Sequence, residues 1–351
     1  MFCFENMHYI SCGRGSPYET GRERGRVLRQ LPGLDSFMQS LLPANEKREM
    51  CLEKTRTLSA RMEKYLPGMT AEKQGLLDEL GWDSEDYDLY HFLPFLFKET
   101  ALQSCTNFYL SAGRREEGKA LAGKIKDYPE VFRHYQEVTS VSSAMSFVCL
   151  RNAGWLGCDL GMNESGFCFA LASASSGHYS PGITPYVLGT LLLSRARTVA
   201  EALNILSSFP GTGEASFLLA DAKGAAVVLE WAFGKQYAVR RPESGLLVCT
   251  NHYLSPELRQ YTAGLKSSEK RYARMRELLA FPPRIKKEQV RKAMQDHHEK
   301  NSFHCICRHS REMAGIASAL MYPEEKILEI QAGRPCEKKK WEIFSFRTPS
   351  A

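Results

Sequence analysis

Apolar residues at helical spacing dominate the first hundred residues of the chain. Two segments, Leu58–Tyr65 and Lys73–Leu80, carry apolar side chains every three or four residues, as expected when one face of a helix is buried. Pro67 and Gly68 lie between them and predict a break that separates two helices. The pattern predicts that residues 1–103 are mainly helical.

At Cys105 the pattern becomes typical of short strands. Cys105–Ser111 is rich in residues that favour strands, Gly113–Gly118 is a polar turn and Lys119–Tyr128 is a second strand, so a β-hairpin is predicted. Further strands are predicted at 144–150, 154–161, 166–172, 216–220, 225–231, 235–239, 245–250, 317–322 and 326–332, and helices at 182–209, 255–280 and 287–298. Many strands beside helical blocks indicate a layered α+β fold.

The predicted hairpin brings charged side chains back to its first cysteine. Pairing across the turn places Cys105 opposite Lys126, with Lys124 and Asp127 close by. A shift of one residue in register would change which of them shares a face of the sheet with Cys105. A cysteine beside two cations and a carboxylate is a candidate reactive thiol. In a chain with eleven cysteines, however, this feature taken alone is better explained by a structural cysteine.

Composition narrows the class of protein. The chain has 351 residues, of which 43% are hydrophobic and 25% charged, as is ordinary for a globular protein. No apolar run approaches the roughly 20 residues of a membrane span. Met1–Arg14 lacks the apolar centre of a signal peptide, which predicts a cytoplasmic protein with reduced cysteines. The net charge is +6, but no basic and aromatic stripe accompanies it, so nucleic acid is not a predicted partner.

Two motifs suggest ligands but depart from the patterns that bind them. Gly118–Ile125 half-matches a phosphate-binding loop, yet Ile125 stands where magnesium needs a hydroxyl group. His304–His309 (HCICRH) holds four potential zinc ligands, with His297 and His298 nearby. Neighbouring strand residues point to opposite faces, so the HCICRH spacing is too tight for one tetrahedral site and favours a strand or turn with buried cysteines. We predict no cofactor and no metal, and keep a zinc-binding regulator as a minor alternative.

Two asparagines stand at predicted strand ends or turns. Asn163 lies in the segment GMNESG and Asn251 in TNHY. Asparagine is common in turns, so each position alone is explained by local structure. An uncharged amide donor also suits an oxyanion hole, which keeps a catalytic role open for both.

Several motifs follow one another along nearly the whole chain. Their order and spacing resemble the acyl-coenzyme A:6-aminopenicillanate acyltransferase family of N-terminal-nucleophile hydrolases, whose wider relatives are choloylglycine hydrolases, penicillin V acylases and acid ceramidase-like amidases. The motifs are PYETGRERGRVLRQLPG at 17–33, SCTNFYL at 104–110, GKIKDY at 123–128, LGMNESGF at 160–167, ARTVAEALNIL at 196–206, SFLLADAKGAAVVLEW at 216–231, TNHY at 250–253, SSEKRYARM at 267–275, CICRH at 305–309 and IASALMYPEEKILEIQAGRPC at 316–336.

The resemblance implies an αββα sandwich, with two antiparallel sheets between helix layers. It also implies self-cleavage between Ser104 and Cys105, which releases residues 1–104 as a small chain. Residues 105–351 then form the catalytic domain, and Cys105 is its nucleophile. The freed α-amine, with an ordinary pKa of about 8, takes the thiol proton.

Further site residues are implied by the resemblance. Asp127 resembles the carboxylate that orients the amine, and Asn251 matches the oxyanion-hole amide. Asn163 matches a second polar residue of the site. Arg271 resembles the arginine that comes after the oxyanion-hole asparagine in the sequences of these enzymes. Lys124 stands where many relatives have arginine, so a two-pronged donor becomes a point charge.

Two further departures from the family pattern bear on substrate choice and on processing. Ile125 replaces an asparagine that is frequent in relatives and so removes a polar contact. Ser104 precedes the nucleophile where glycine is common.

The leading hypothesis is a self-activated cysteine amide hydrolase or acyltransferase that acts on a linear, non-peptide amide through an acyl-enzyme at Cys105. The sequence leaves open whether acyl-coenzyme A or an amine acceptor takes part, and whether the protein is a homo-oligomer. A non-catalytic binding protein on the same fold, which never matures, is the alternative. Aromatic residues near the predicted site favour an apolar acyl group: Phe108, Tyr109, Tyr128, Phe167, Phe169 and Tyr179.

Overall fold

Two stacked β-sheets form the centre of the protein in the computed structural model, which describes residues 2–4, 7–96, 104–174, 181–262, 264–299 and 302–346. The large sheet has nine strands in the spatial order β1 (Phe2–Phe4), β2 (Met7–Cys12), β5 (Gln136–Val141), β6 (Phe147–Asn152), β7 (Leu160–Asn163), β8 (Cys168–Ser173), β9 (Ala215–Ala220), β10 (Ala226–Ala232) and β11 (Lys235–Arg240). The small sheet has six in the order β12 (Leu246–Cys249), β3 (Ser104–Leu110), β4 (Leu121–Tyr128), β13 (Ala314–Tyr322), β14 (Ile327–Ala332) and β15 (Glu342–Ser345).

Helices cover the outer face of each sheet. They are α1 (Pro17–Leu28), α2 (Leu34–Ser40), α3 (Asn45–Tyr65), α4 (Pro67–Leu80), α5 (Ser84–His91), α6 (Leu93–Leu96), α7 (Pro185–Arg195), α8 (Val199–Ser207), α9 (Pro256–Arg259), α10 (Lys266–Ala280) and α11 (Lys287–Met294). None of these described helices is long and apolar enough to cross a membrane.

Three hydrophobic cores separate the layers. Between the sheets, Tyr109 and Ala122 of the small sheet share a core with strands of the large sheet. Outside the large sheet, α1, α4, α7 and α8 contribute to a second core, which includes Leu188. Outside the small sheet, Met275 of α10 and Val290 of α11 belong to a third core. The predicted αββα sandwich is therefore confirmed, because each sheet buries one face on the other sheet and one face on helices.

One pairing corrects the expectation of purely antiparallel sheets. Strand β2 pairs with β5 in parallel, with Met7 beside Gln136 and Cys12 beside Val141. Two parallel strands need a long connection, and here it contains the N-terminal helices followed by the β3–β4 hairpin of the small sheet. The first hundred residues are thus mainly helical, as predicted, but the described part of this segment also adds two strands to the large sheet.

The predicted strand 154–161 begins later in the structure, and the predicted helix 287–298 ends earlier. Strand β7 starts only at Leu160, because Trp155 and Leu156 lie in a loop whose side chains are buried in the core outside the large sheet. Helix α11 stops at Met294, four residues before the predicted end. Local apolarity reports burial, and burial alone does not separate a packed loop from a strand.

The hairpin register follows the prediction. Cys105 lies opposite Lys126, and Ser104 lies opposite Asp127, in the antiparallel pair of β3 with β4. Every residue of both strands is buried, since sheets or helices cover both faces. This explains why neither strand alternates simply between apolar and polar residues.

Helix α1 packs unusually close to α4 through glycines. Ser16 caps α1 and exchanges reciprocal hydrogen bonds with Glu19. A Cβ atom on Gly75 of α4 would lie 2.0 Å from the carbonyl oxygen of Tyr18, and one on Gly21 would lie 2.0 Å from that of Glu72. Both contacts are with backbone, which cannot move aside as a flexible side chain can.

Arg24 joins this helix pair to the large sheet. Its guanidinium group is buried and donates to Glu137 of β5 at 2.7 Å, to Glu72 of α4 at 2.6 Å and to the carbonyl oxygen of Trp155 at 2.7 Å. Removing one partner of such a buried ion pair typically costs about 3–5 kcal/mol, because the other charge is left uncompensated. The N-terminal segment is therefore an integral layer of the fold.

We expect Gly75→Ala to destabilise the protein by about 1–3 kcal/mol, the usual cost of overpacking. On helix propensity alone the substitution would stabilise α4 by up to about 1 kcal/mol, so the sign of the change separates packing from propensity. Urea denaturation measures it. Gly113→Ala is the control, since a Cβ atom there meets open space; equal stability of Gly75→Ala and wild type would contradict the close approach.

Candidate active site

Arg271 of α10 holds the start of β3 in place. The Nη1 atom donates to the carbonyl oxygen of Cys105 at 2.7 Å and to Oγ1 of Thr106 at 2.8 Å. The Nη2 atom donates to Oγ of Ser104 at 2.7 Å and to Oδ1 of Asn251 at 2.9 Å. The arginine is fully buried, so these charge-assisted hydrogen bonds form without competition from water. Arg271 thus contacts three consecutive residues around the predicted cleavage site.

Asn251 holds the backbone nitrogen of Cys105. It lies two residues beyond β12, and its Oδ1 atom accepts from the Cys105 nitrogen at 2.9 Å and from Oγ of Ser104 at 3.3 Å. Its Nδ2 atom donates to the carbonyl oxygen of Ser173 at 2.8 Å. The sequence correctly predicts an asparagine at a strand end beside Cys105. The orientation differs, because the amide oxygen faces the Cys105 nitrogen where an amide donor facing the sulfur was expected.

Ser104 fits this arrangement although glycine is common in relatives. Its hydroxyl group accepts from Arg271 and donates to Asn251, so the extra side chain adds two hydrogen bonds at the junction. The buried oxygen is therefore satisfied, and the serine carries no desolvation penalty.

Cys105 and Lys126 share the face of the small sheet that looks toward the large sheet. Cys105 is 1% exposed. The Nζ atom of Lys126 lies 2.5 Å from Oδ2 of Asp159, directly before β7, and 2.9 Å from Oδ1 of Asn152, at the end of β6. Burial lowers the pKa of Lys126, and the carboxylate of Asp159 opposes that shift. A compensated ion pair therefore lies opposite the predicted nucleophile.

Lys124 is two residues earlier on the same face, opposite Asn107. Its ammonium group donates to the carbonyl oxygen of Leu171, and the amide of Asn107 donates to that of Ala170 at 3.4 Å. Both acceptors belong to β8, so this pair of polar side chains joins the two sheets near Cys105. Lys124 is fully buried, as a point charge with a backbone acceptor.

Asp127 lies on the opposite face, toward α10. It shares this face with its pairing partner Ser104, because successive strand residues alternate between faces. Within the described residues, neither of its carboxylate oxygens has a hydrogen-bond partner, although both are buried. The Nε atom of Arg308 is 3.7 Å from Oδ2. Burial raises the pKa of Asp127 to about 6, and Arg308, Arg271 and Lys124 limit that rise.

Asn163 is not brought to this site. Its Nδ2 atom donates to the carbonyl oxygens of Leu193 at 3.0 Å and Ala196 at 2.7 Å, at the end of α7. Its Oδ1 atom accepts from the backbone nitrogens of Ser165 and Phe167. The hydrogen bonds of Asn163 join the β7–β8 turn to a helix end, which corrects the expectation of a second polar site residue and favours the local-structure interpretation.

The aromatic residues proposed to favour an apolar acyl group are scattered. Phe108 packs in the core beneath α10 and α11, and Phe167 and Phe169 pack in the core that includes α7. Tyr109 contributes to the core between the sheets, and Tyr179 lies outside the described residues. Tyr128 does lie near the site, because the Nζ atom of Lys126, the pairing partner of Cys105, is 4.9 Å from the centre of its ring.

Sequence patterns do not identify three residues that lie at this site: Asp159, Arg308 and Tyr186. The pKa of Tyr186 is raised by burial and further by Asp159 and Cys105. Asp159 does carry a signal, since a lone carboxylate between buried Cys158 and Leu160 needs a cationic partner. Which cation it meets depends on how the two sheets stack, and no local pattern reports that.

The fold and the sequence profile agree on the class of protein. Two stacked sheets lie between helix layers, and Cys105 is near the start of β3. The chain belongs to the acyl-coenzyme A:6-aminopenicillanic acid acyl-transferase family, whose sequence profile matches residues 114–337. The match covers Lys124, Asp127, Asn251 and Arg271, and it begins after Cys105.

Several solved structures are similar to the chain at low sequence identity. A mutant of conjugated bile acid hydrolase from Clostridium perfringens is 14% identical, with a TM-score of 0.49, over 69% of this chain and 92% of that one. The Caenorhabditis elegans N-acylethanolamine-hydrolyzing acid amidase is 14% identical, with a TM-score of 0.47, over 63% and 93%. Penicillin V acylase from Agrobacterium tumefaciens is 15% identical, with a TM-score of 0.44, over 69% and 86%. No curated protein matches the sequence significantly.

Proposed function

We propose that the protein is a precursor that cuts itself between Ser104 and Cys105 and then hydrolyses a linear amide, or transfers its acyl group, with Cys105 as the nucleophile. The observation that carries this proposal is the set of contacts at the junction. Arg271 binds the residues on both sides of the bond, and Asn251 accepts a hydrogen bond from the nitrogen that the cut would free. Membership of the family supports the class of reaction, amide hydrolysis or acyl transfer.

The cleavage step needs only groups at the junction and one water molecule. The sulfur of Cys105 attacks the carbonyl carbon of Ser104, the carbon–nitrogen bond between the two residues breaks, and the thiol proton passes to the departing nitrogen. The resulting thioester is hydrolysed by water, which leaves a carboxylate on Ser104, a thiol on Cys105 and a free α-amine. Asn251 suits this step because its oxygen already orients the departing nitrogen.

Turnover then uses the new α-amine as the base. The amine takes the thiol proton, the sulfur attacks the substrate carbonyl carbon, and the proton passes to the leaving amine as the acyl-enzyme forms. Water or an acceptor amine breaks the acyl–sulfur bond and restores the thiol. The second hydrogen of the Asn251 amide is the proposed donor to the oxyanion of the tetrahedral intermediate.

Asp127 is proposed to hold the freed amine from the second side. The scissile amide has one N–H group, which donates to Oδ1 of Asn251. The free amine has two or three hydrogens to donate. The buried carboxylate of Asp127, opposite Ser104, accepts no hydrogen bond from the described residues before the cut. An unsatisfied buried acceptor is costly, so a donor created beside it by cleavage would be bound strongly.

Cleavage would separate the chain into residues 1–104 and 105–351 without dispersing the fold. Strand β2 pairs along β5, and Arg24 joins Glu137 across the two parts. We propose that the small chain stays bound and that only the peptide bond is lost. A cytoplasmic location stays part of the proposal, and the ten cysteines whose side chains the structure describes are free thiols.

An apolar acyl group remains the proposed substrate feature. Tyr128 supports it, because its ring lies against Lys126, the pairing partner of Cys105. The decisive assay incubates the purified protein with a library of acyl amides, with and without an added amine. Release of free acid indicates hydrolysis, and formation of a new amide only when amine or acyl-coenzyme A is added indicates transfer. Absence of both products from a fully cleaved protein would favour the binding-protein alternative.

Intact mass spectrometry should find two chains in purified wild type, one of which starts at Cys105. Cys105→Ala should stay uncut, because the carbon–nitrogen bond then has no attacking sulfur. Cys168→Ala is the control, since this buried cysteine lies in the core between the sheets, and it should be cut normally. The two wild-type chains should elute together in native size exclusion. An uncut wild type that turns over amides would refute the cleavage step.

Two substitutions of Asn251 separate its oxygen from its nitrogen. Asn251→Ala removes both and should slow cleavage and lower kcat, the latter by about 100- to 1000-fold, as is typical for an oxyanion donor. Asn251→Asp keeps an acceptor for the Cys105 nitrogen, so it should cut while its turnover stays low. Timed mass spectra and initial rates measure the two effects. If Asn251→Asp turns over substrate as fast as wild type, the nitrogen has no catalytic role.

Asp127→Asn should be cut at nearly the normal rate and then lose most of its turnover. Before the cut the carboxylate accepts no hydrogen bond from the described residues, whereas afterwards it would orient the amine. Cleavage kinetics and kcat of the matured variant are compared, with thermal unfolding to check the fold. Normal kcat in a fully cut variant would leave Asp127 with only a structural role beside Arg308.

A further inference from the structure

Four metal-ligand side chains converge near the start of β13 and the end of β14, outside the candidate active site. His297 follows α11, Cys307 and His309 lie in the segment before β13, and Cys336 follows β14. Their ligand atoms, one nitrogen from each histidine and one sulfur from each cysteine, all lie within 4.8 Å of one another. Three separate parts of the chain therefore deliver two imidazole groups and two thiols to one point.

One atom of this cluster has more polar neighbours than its hydrogen bonds can satisfy. The Nε2 atom of His309 is 2.9 Å from Nε2 of His297, 3.5 Å from Sγ of Cys307 and 3.3 Å from Sγ of Cys336. A neutral imidazole nitrogen offers either one proton or one lone pair, so it satisfies one of these three neighbours. Ligands of a tetrahedral zinc ion lie roughly 3.3–3.8 Å apart, given bonds of about 2.0 Å to nitrogen and 2.3 Å to sulfur. A cation among the four atoms would account for their approach.

We propose that His297, Cys307, His309 and Cys336 bind a structural Zn²⁺ ion. Two cysteines and two histidines form a complete tetrahedral set, which leaves no open position for substrate and fits a structural rather than a catalytic ion. Two thiolates balance the charge of the ion, and mixed nitrogen and sulfur ligands select zinc over magnesium or calcium. Both histidines are exposed and Cys307 is buried, so the ion can enter from solvent and be held against the protein.

The motif HCICRH does not reveal this site, because only two of its four candidate ligands, Cys307 and His309, belong to the cluster. Its four candidate ligands cannot share one ion, as their spacing predicts, and in the structure Sγ of Cys305 is 3.3 Å from the carbonyl oxygen of Glu299 instead. Cys307 and His309 are two residues apart and reach the same side. The remaining ligands are His297, 12 residues before His309, and Cys336, 27 residues after it, and the tertiary fold brings both to the site.

The site would also stabilise the placement of Arg308, which lies between two of the ligands. The guanidinium group of Arg308 donates to Oγ of Ser267 at the start of α10, and its Nε atom is 3.7 Å from Asp127. A metal that pins residues 307 and 309 limits the movement of the segment that carries this cation. The ion would thus act on the candidate active site through position only, with no contact to substrate.

Metal analysis of the purified protein tests the proposal directly. Wild type, reconstituted with ZnSO₄ under reducing conditions and then desalted, should hold about one zinc ion per chain. Cys336→Ser and His297→Ala should hold far less, while the neighbours Cys305→Ser and His298→Ala should match wild type. The same measurements on Cys105→Ala, which is uncut, keep this result independent of self-cleavage and of amide turnover.

A spectroscopic measurement separates the loss of a metal ligand from poor folding of a variant. Substitution with Co²⁺ should give the visible bands of a tetrahedral ion and a thiolate-to-metal charge-transfer band in wild type, and Cys336→Ser should lose intensity in the latter. Zinc should also protect Cys336 of wild type from alkylation, and a chelator should remove that protection and lower Tm. Wild type that holds no more zinc than Cys336→Ser, or a Cys307–Cys336 disulfide in freshly reduced protein, would overturn the proposal.

Discussion

The register of the β3–β4 pair is the constraint on which the candidate site depends. Side chains alternate between the two faces of a strand, so a shift of one residue would exchange every neighbour of Cys105. With Cys105 opposite Lys126, the sulfur and two lysines face the large sheet, while Ser104 and Asp127 face α10. The two faces of β3 therefore have different neighbours. The Cys105 thiol lies on the face toward the large sheet, and the side chains that contact the Ser104–Cys105 junction from α10 lie on the other face.

Burial of several cations is the energetic cost of this arrangement. Lys124, Lys126, Arg271 and Arg308 are all buried, and Asp127 and Asp159 are the carboxylates within reach of them. Burial lowers the pKa of Arg271, and proximity to Arg308 lowers it further. Buried charges need partners with good geometry, and here backbone carbonyls and hydroxyl groups supply much of it. A site so rich in fixed positive charge and preorganised donors suits a reaction whose intermediate carries an oxyanion.

Elements remote from the hairpin keep these charges in position. Helix α10 delivers Arg271, the segment before β13 delivers Arg308, and the N-terminal helices are joined to the large sheet through Arg24. The cluster of His297, Cys307, His309 and Cys336 flanks the second of these elements. Each support is made by residues far apart in sequence, so the geometry at Cys105 is a property of the whole fold and not of the hairpin alone.

The sequence by itself determined the local features. Turn residues and strand-forming runs predict the β3–β4 hairpin and its register, helical spacing predicts α3 and α4, and the order of motifs identifies the family. These features depend on neighbours a few residues away, which a single sequence reports directly. The candidate residues Cys105, Asn251 and Arg271, named in this way, do meet in the structure.

Only the tertiary structure decided which distant side chains meet. Asn163 bonds to the end of α7, and Asp159 pairs with Lys126. The amide oxygen of Asn251, and not its nitrogen, faces the backbone nitrogen of Cys105. The tertiary structure also paired β2 with β5 in parallel and joined Cys336 to Cys307 and His309. Each of these contacts depends on how sheets stack and how loops return, and the loop-closure entropy that opposes them is offset by burial summed over the whole core, so no local pattern encodes them.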